Sequence, residues 1–133
     1  MTSLKQNTHL LASKKLVGTV ISISEKSAKV TLTITEDMVV DTYNLAHGSF
    51  TFGLADYAAM VAINEPTVVL GKAETKYLKP VILNDELTAI AEVNETSGKK
   101  TTVLVNVTNQ KSELVFEGNF TCFVLDKHIL DKN

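Results

Sequence analysis

One stretch of the sequence decides the fold: residues 45–64 read LAHGSFTFGLADYAAMVAIN. From residue 50 to residue 63 the only charged side chain is that of Asp56, and alanines recur at positions 55, 58, 59 and 62. This spacing places the alanines on one side of an α-helix, where small side chains allow close packing against a sheet. Large apolar side chains occupy the other sides. A helix that is apolar all round is buried, so we predict one long core helix with Ser49 as its N-cap.

Asp56 is the exception in this apolar helix. The residues three and four positions away from it are apolar or glycine: Phe52, Gly53, Ala59 and Met60. An ionised carboxylate in such surroundings costs several kcal/mol unless it is paired or hydrogen-bonded. Two interpretations follow: a carboxylate satisfied by backbone donors or by a partner chain, and a catalytic group whose pKa is shifted by burial. The free N–H groups at the helix start attract negative charge, and Gly48 allows close approach of a ligand, which favours the catalytic interpretation.

Length and composition are those of an ordinary globular domain. The chain has 133 residues, 44% hydrophobic and 21% charged, which is enough to form a core without staples. We predict a single domain over residues 1–133, with an N-terminal arm or short helix at 1–14 and a polar tail at 127–133. The net charge of −2 gives no general attraction to nucleic acid or anionic membranes, so we expect neither as a partner.

No segment predicts export or membrane insertion. The N-terminus, MTSLKQNTHLLASKK, lacks the apolar core of a secretory signal. The longest uninterrupted apolar run, residues 58–63, is too short to span a bilayer. Cys122 is the only cysteine, so an intramolecular disulfide is impossible, which suits a reducing compartment. We therefore expect a soluble, cytoplasmic protein.

Six segments have the alternation or the β-branched content of strands. They lie at residues 16–23, 28–35, 67–79, 87–93, 103–107 and 114–125. The first two form a predicted hairpin, and Pro66 ends the helix because the residue before proline avoids the α region. The order β-β-α-β-β-β-β predicts an α+β fold in which an antiparallel sheet packs against a single apolar helix.

Motifs of the common enzyme classes are absent. Gly48 and Gly53 have the spacing of a phosphate-binding loop, but Leu54 stands where its lysine should be. The sequence contains no GxSxG, no HExxH and no dinucleotide-binding glycines. The three histidines lie far apart, at positions 9, 47 and 128, so we expect no metal site.

The helix entrance and a later segment resemble the hotdog-fold thioesterase superfamily, most closely its branch related to phenylacetate-pathway thioesterases. In that branch the entrance reads HGG and an aspartate follows nine residues after the histidine. Here His47, Gly48 and Ser49, followed by Asp56, keep this spacing, and residues 74–93, ETKYLKPVILNDELTAIAEV, fit the downstream pattern. The resemblance covers about residues 15–125 and implies a hotdog fold, a sheet wrapped around the long helix.

The resemblance also implies an activity: an acyl-CoA thioesterase that hydrolyses an acyl thioester to free acid and coenzyme A, without a separate cofactor. Gly48 would donate its backbone N–H to the thioester carbonyl, and Asp56 would act as general base or nucleophile. His47 would shape the carbonyl pocket and Asn44 would position water. We assign six residues to substrate binding: Asp41, Ser49, Phe52, Tyr57, Met60 and Tyr77. The last four also suit a plain core.

Because the glycine and the aspartate come from different subunits in similar enzymes, the resemblance further implies a homodimer or a dimer of dimers. Two positions depart from the family pattern. Asp41 stands where the family often has asparagine, six residues before the histidine, and Gly71 replaces a hydroxyl residue nine before Pro80. Asn44 is the candidate to take over water positioning through a shifted loop.

Two other functions stay open. The first is a non-catalytic acyl-CoA-binding or sensing module, because the chain also resembles the effector domain of a malonyl-CoA-responsive transcriptional repressor. In that domain an asparagine takes the place of Asp56, and a DNA-binding segment precedes it. The retained Asp56 and the short segment before residue 16, which has no room for a helix-turn-helix, favour the enzyme. The second is a hotdog dehydratase, whose paired histidine and acid fit the spacing of His47 and Asp56 less well.

Overall fold

The structure, a computed structural model, describes residues 3–132. The first two residues of the predicted segment 1–14 and the last residue of the predicted tail 127–133 lie outside the described residues. In chain order the elements are α1 (Lys14–Val17), β1 (Thr19–Ser24), β2 (Ser27–Thr33), a 3₁₀ turn (Glu36–Met38), α2 (Gly48–Ile63), β3 (Val68–Tyr77), β4 (Glu86–Ser97), β5 (Lys100–Thr108) and β6 (Leu114–Val124).

The six strands form one sheet in the order β1-β2-β4-β5-β6-β3, and every pair of neighbours is antiparallel. The long helix α2 packs against this sheet. The predicted α+β class, the order β-β-α-β-β-β-β and the hotdog arrangement are confirmed. Because β3 lies at one edge of the sheet, one row of its main-chain groups has no strand beside it among residues 3–132.

The core lies between α2 and the inner face of the sheet. Ala55, Ala58 and Ala59 are fully buried, so the small-residue side of the helix does lie close to the strands. Alternate residues of β2, β4 and β5 form the opposing layer, which includes Val30, Leu87 and the valines at 103, 105 and 107. Each large apolar side chain buried in this way contributes about 1.5–3 kcal/mol. No helix among residues 3–132 is long and apolar enough to cross a membrane.

The N-cap prediction was wrong by two residues. Helix α2 begins at Gly48 and its N-cap is His47, whose ring nitrogen accepts a hydrogen bond from the Ser49 backbone N–H. Ser49 therefore lies in the first turn. At the other end, Asn64 adopts a left-handed conformation with φ 58° and ends the helix before Pro66, as the sequence predicts.

The strand predicted at residues 16–23 begins later, at Thr19. Ser13 caps a short helix by accepting from the Leu16 N–H, so residues 14–17 form α1 instead. Gly18 then turns the chain with φ 117°, and a Cβ at that position would lie 2.7 Å from the Thr31 carbonyl oxygen. Residues 3–12 form an arm rather than a regular helix.

This arm crosses α2 and is fastened to its end. The Asn64 side chain accepts from the Asn7 N–H at 2.7 Å and donates to the Lys5 carbonyl at 2.8 Å. Gln6 bonds the Tyr57 hydroxyl at 3.0 Å. The arm therefore covers part of the helix that the sheet does not reach.

Candidate active site

The loop before α2 is built by two of the predicted site residues. The Asp41 carboxylate accepts from the N–H groups of Tyr43 and Leu45, at 2.9 and 3.2 Å. Asn44 has a positive φ of 66° and its carbonyl accepts from the Leu83 N–H at 2.9 Å. The Asp41 carboxylate thus stabilises the loop through both hydrogen bonds. The exposed side chain of Asn44 has no hydrogen-bond partner in the part of the chain that the structure describes.

His47 is the last residue of the loop and the N-cap of α2. Its N–H donates to the Met38 carbonyl at 2.8 Å. Its Nδ1 accepts from the Ser49 N–H at 3.0 Å and lies 2.8 Å from the Ser49 hydroxyl oxygen. Since a ring nitrogen that accepts carries no proton, the neutral imidazole is protonated on Nε2. His47 is therefore a cap whose other nitrogen can still donate.

The Gly48 N–H is the candidate oxyanion donor. It belongs to the first turn of α2, where N–H groups lack helical acceptors, and no residue between 3 and 132 accepts from it. The positive end of the helix dipole adds to its attraction for negative charge. An amide in this position can donate to a carbonyl oxygen that becomes negative during reaction.

Tyr77 packs directly on Gly48. A Cβ at Gly48 would lie 3.0 Å from Tyr77 Cε1, so the ring occupies the space that a side chain would need. The Tyr77 hydroxyl donates to the Gly48 carbonyl at 3.1 Å. Burial raises the pKa of this hydroxyl above its usual value, so the hydroxyl is available as a donor. The Tyr77 ring therefore favours glycine at position 48.

A groove of about 300 Å³ opens beside Gly48, lined by residues in the ranges 45–51 and 77–81. Its walls are mainly apolar, and Thr51, which is only 2% exposed, lies within it. Lys79 stands in its wall and pairs with Glu113 at 3.0 Å. Thr51 is not among the site residues predicted from the sequence, although its position three residues after Gly48 places both on the same side of the helix.

Asp56 lies two turns further along α2. Its Oδ1 is buried, and no hydrogen bond reaches it from any residue that the structure describes. Burial raises its pKa from 3.8 to about 6. Burial, together with the negative charge of Asp56, raises the pKa of the neighbouring Cys122 thiol to about 12. Within residues 3–132, no backbone donor satisfies the buried oxygen, so that form of the first interpretation is not observed.

The other predicted residues separate into two groups. Phe52, Asp56 and Met60 follow one side of α2, with Phe52 against the Phe120 ring at 5.6 Å and Met60 1% exposed. Tyr57 points to the N-terminal arm instead and is 7% exposed. The structure therefore does not bring Tyr57 to Gly48 or to Asp56.

Gly48 and Asp56 do not meet within one chain. They are eight residues apart on a continuous helix, which corresponds to about 12 Å at 1.5 Å per residue. The entrance group is His47, Gly48, Ser49 and Tyr77, and the acid lies beyond hydrogen-bond reach of it. Among residues 3–132, no group of three or more metal-ligating side chains occurs.

Gly71, one of the two departures from the family pattern, has a packing reason. A Cβ at this position would lie 2.5 Å from Phe123 Cε2. A serine or threonine there would collide with the ring unless Phe123 moved. Where the family pattern has a hydroxyl side chain, the Phe123 ring packs over Gly71 in this protein.

Comparison with known proteins assigns the family. The model of the thioesterase superfamily matches residues 43–116, more than half of the chain, including the helix entrance and α2. The chain belongs to the thioesterase superfamily. The resemblance inferred from the spacing of His47, Gly48 and Asp56 is confirmed at the level of the superfamily.

Three solved structures illustrate the similarity of this thioesterase-superfamily chain to other proteins. The uncharacterized protein PH1136 from Pyrococcus horikoshii is 53% identical, with a TM-score of 0.95 over 98% of this chain and 100% of that one. The E. coli PaaI protein from the phenylacetic acid degradation operon is 28% identical, with a TM-score of 0.73 over 78% and 80%. The protein smu.793 from Streptococcus mutans, solved bound to acetyl CoA, is 26% identical, with a TM-score of 0.76 over 84% and 90%.

Two curated relatives are longer than the chain. A methylthioribose-1-phosphate isomerase from Aquifex aeolicus is 44% identical over 120 residues, which cover 90% of this chain and 26% of the isomerase. The transcription factor FapR from Caldanaerobacter subterraneus is 35% identical over 98 residues, 74% of this chain and 48% of the factor. The chain thus spans about a quarter of the first relative and about half of the second.

Proposed function

We propose that the protein is an acyl-CoA thioesterase, which hydrolyses an acyl thioester to a free acid and coenzyme A. One observation carries the proposal: the buried Oδ1 of the half-buried Asp56 has no hydrogen-bond partner within residues 3–132, and burial raises the pKa of this carboxyl to about 6. A buried acid of this kind costs stability, and such costs are typical of functional sites. Membership of the thioesterase superfamily and the acetyl-CoA-bound structure of smu.793 support the same substrate class.

The proposed working unit contains two copies of the chain. The 12 Å along the helix, estimated from its rise, prevents Gly48 and Asp56 of one copy from acting on one carbonyl. Strand β3 is paired with β6 on one side and is open on the other, and Asp56 lies near Cys122 of β6. Two copies joined through β3 would bring the helices side by side, with Gly48 of one copy facing Asp56 of the other.

The proposed reaction uses these two groups in turn. The Gly48 N–H holds the thioester oxygen while the Asp56 carboxylate takes a proton from water, whose oxygen attacks the carbonyl carbon. Negative charge then develops on the oxygen bound by the amide. When the C–S bond breaks, the carbonyl re-forms and the leaving thiolate takes the proton from Asp56. If Asp56 is instead the nucleophile, its carboxylate attacks the carbonyl carbon, the C–S bond breaks and the coenzyme A thiolate leaves. Water then cleaves the resulting mixed anhydride, which releases the acid and restores the Asp56 carboxylate.

The test is hydrolysis of short, long and aromatic acyl-CoAs, followed with a thiol reagent. We expect kcat/KM to rise with pH through a midpoint near 6, because only the ionised Asp56 accepts a proton. The kcat/KM of Asp56→Asn should be at least about 100-fold lower than that of the wild type. Asp37→Asn makes the same chemical change at an exposed position and should keep full activity. Equal rates for the wild type and Asp56→Asn would refute the assignment.

A second candidate is a non-catalytic acyl-CoA-binding module, favoured by the 35% identity to the transcription factor FapR. Calorimetric titration with the same acyl-CoAs distinguishes the two, since tight binding without release of thiol would support the module. An enoyl thioester in the panel tests the dehydratase alternative, because hydration removes the enoyl absorbance.

A further inference from the structure

The peptide that joins Gly48 to Ser49 is held at both of its polar groups. Its carbonyl oxygen, on Gly48, accepts from the Tyr77 hydroxyl at 3.1 Å. Its N–H, on Ser49, donates to Nδ1 of His47 at 3.0 Å. Two side chains from different parts of the chain therefore fix the plane of a single peptide. That peptide follows immediately after the Gly48 N–H.

Tyr77 is anchored well enough to act as a support. It is the last residue of β3, and its ring meets the edge of the Phe116 ring at 5.1 Å with an interplanar angle of 80°. The next residue, Leu78, donates its N–H to the Val115 carbonyl at 2.8 Å. Tyr77 thus connects the start of α2 to the edge of the sheet, and its ring rests against the α-carbon of Gly48.

We propose that Tyr77 is a positioning residue. Together with His47 it fixes the Gly48–Ser49 peptide, and this holds in place the Gly48 α-carbon to which the preceding N–H, beside the groove, is attached. Glycine explores more backbone conformations than any other residue, so an amide donated by glycine needs outside support. The Tyr77 ring limits the movement of the α-carbon, and its hydroxyl limits the rotation of the carbonyl. This inference rests on the proposed function, in which that amide binds the thioester oxygen.

The inference differs from the substrate-binding role that the sequence analysis assigns to Tyr77. A tyrosine that only lined the acyl pocket would contribute to binding of substrate and transition state alike, and its loss would raise KM. A tyrosine that aims the amide acts where negative charge develops, and its loss would lower kcat. The ratio of these two effects separates the roles.

The experiment is the kinetics of Tyr77→Phe, which keeps the ring and removes the hydroxyl. We expect kcat to fall about 3–10-fold, the range of one lost hydrogen bond, with KM within about twofold of the wild type. The midpoint of the pH profile should not move, because Tyr77→Phe removes no charge and the pKa of Asp56 is raised by burial rather than by Tyr77. Tyr43→Phe removes the same group from a side chain that is 88% exposed and should change neither constant. A higher KM with unchanged kcat, or no change at all, would overturn the inference.

A second measurement does not depend on turnover. Amide hydrogen exchange at Ser49 should be about 3–10-fold faster in Tyr77→Phe than in the wild type, since the peptide loses one of its two supports. Unchanged exchange would overturn the inference even if the enzyme is active. A wild type that hydrolyses no acyl-CoA would refute the proposed function, and faster exchange in the variant would still support the positioning role.

Discussion

Asp56→Asn should make the protein more stable at neutral pH while it removes activity. The folded protein holds the Asp56 proton up to about pH 6, because burial raises its pKa, whereas the unfolded chain releases it near pH 4. The free energy of unfolding therefore falls as the pH rises from about 4 to 6 and stays lower above that range. Asparagine has nearly the same shape and carries no charge, so Asp56→Asn does not lose this free energy of unfolding at neutral pH.

The expected size follows from the two pKa values. They are 3.8 and about 6, a difference of about 2, and each pKa unit corresponds to about 1.4 kcal/mol. The full penalty is about 3 kcal/mol above pH 7. Part of the carboxylate is exposed, and the asparagine amide is itself poorly hydrogen-bonded there, so we expect a net gain of about 1–2 kcal/mol. At pH 4 the gain should be below about 1 kcal/mol, because the carboxyl is protonated in the folded state and partly protonated in the unfolded state.

The assay is urea unfolding of the wild type, Asp56→Asn and Asp37→Asn at pH 4 and pH 7.5, at equal protein concentration. Asp37 has a side chain that is 69% exposed, so its variant should show no comparable gain at neutral pH. The reasoning is refuted if Asp56→Asn is no more stable than the wild type at pH 7.5, or if its gain is the same at both pH values.

Substitutions centred on three other positions, His47, Gly71 and Asn64, test individual contacts of the fold. His47→Ala should cost about 1 kcal/mol in urea unfolding because a first-turn N–H loses its acceptor, whereas His47→Asn should recover most of this loss, and equal losses would contradict the capping role. Gly71→Ser should cost about 1–3 kcal/mol through its collision with the Phe123 ring, and the loss should shrink when Phe123→Ala is added. Asn64→Gly keeps the left-handed helix end but removes both hydrogen bonds to the N-terminal arm, so arm amides should exchange faster, and unaltered exchange would refute the role of Asn64 in holding the arm.

The sequence is sufficient for the architecture because the architecture depends on apolar spacing. The alanines of α2 and the valines of β5 have the periods of a helix and a strand, and both are buried as those periods predict. Within the site, the nine-residue spacing from His47 to Asp56 predicts the family, and the superfamily match confirms it. The separate roles of these residues in catalysis stay predictions.

What the sequence does not predict are contacts between distant or competing groups. His47 rather than Ser49 caps α2 because the chain is extended at His47, with φ −65° and ψ 135°, which turns its ring toward the first-turn N–H. Tyr77 meets Gly48 across 29 positions, and no local pattern encodes that contact. In the same way, the short helix before Gly18 depends on a cap and a turn rather than on apolar spacing.

The irregularity at Gly71 has a consequence for the whole of β3. Leu70 and Ala73 both pair with buried residues of β6, although three positions separate them instead of two. In a regular strand continuing from Leu70, every later side chain would exchange faces, so Tyr77 would project from the outside of the sheet. The extra residue between Leu70 and Ala73 therefore keeps the side chains of the second half of β3 on the same alternation of faces as their partners in β6. A single deletion there would take Tyr77 away from Gly48 and put charged side chains against the helix, while leaving the proposed catalytic side chains in place.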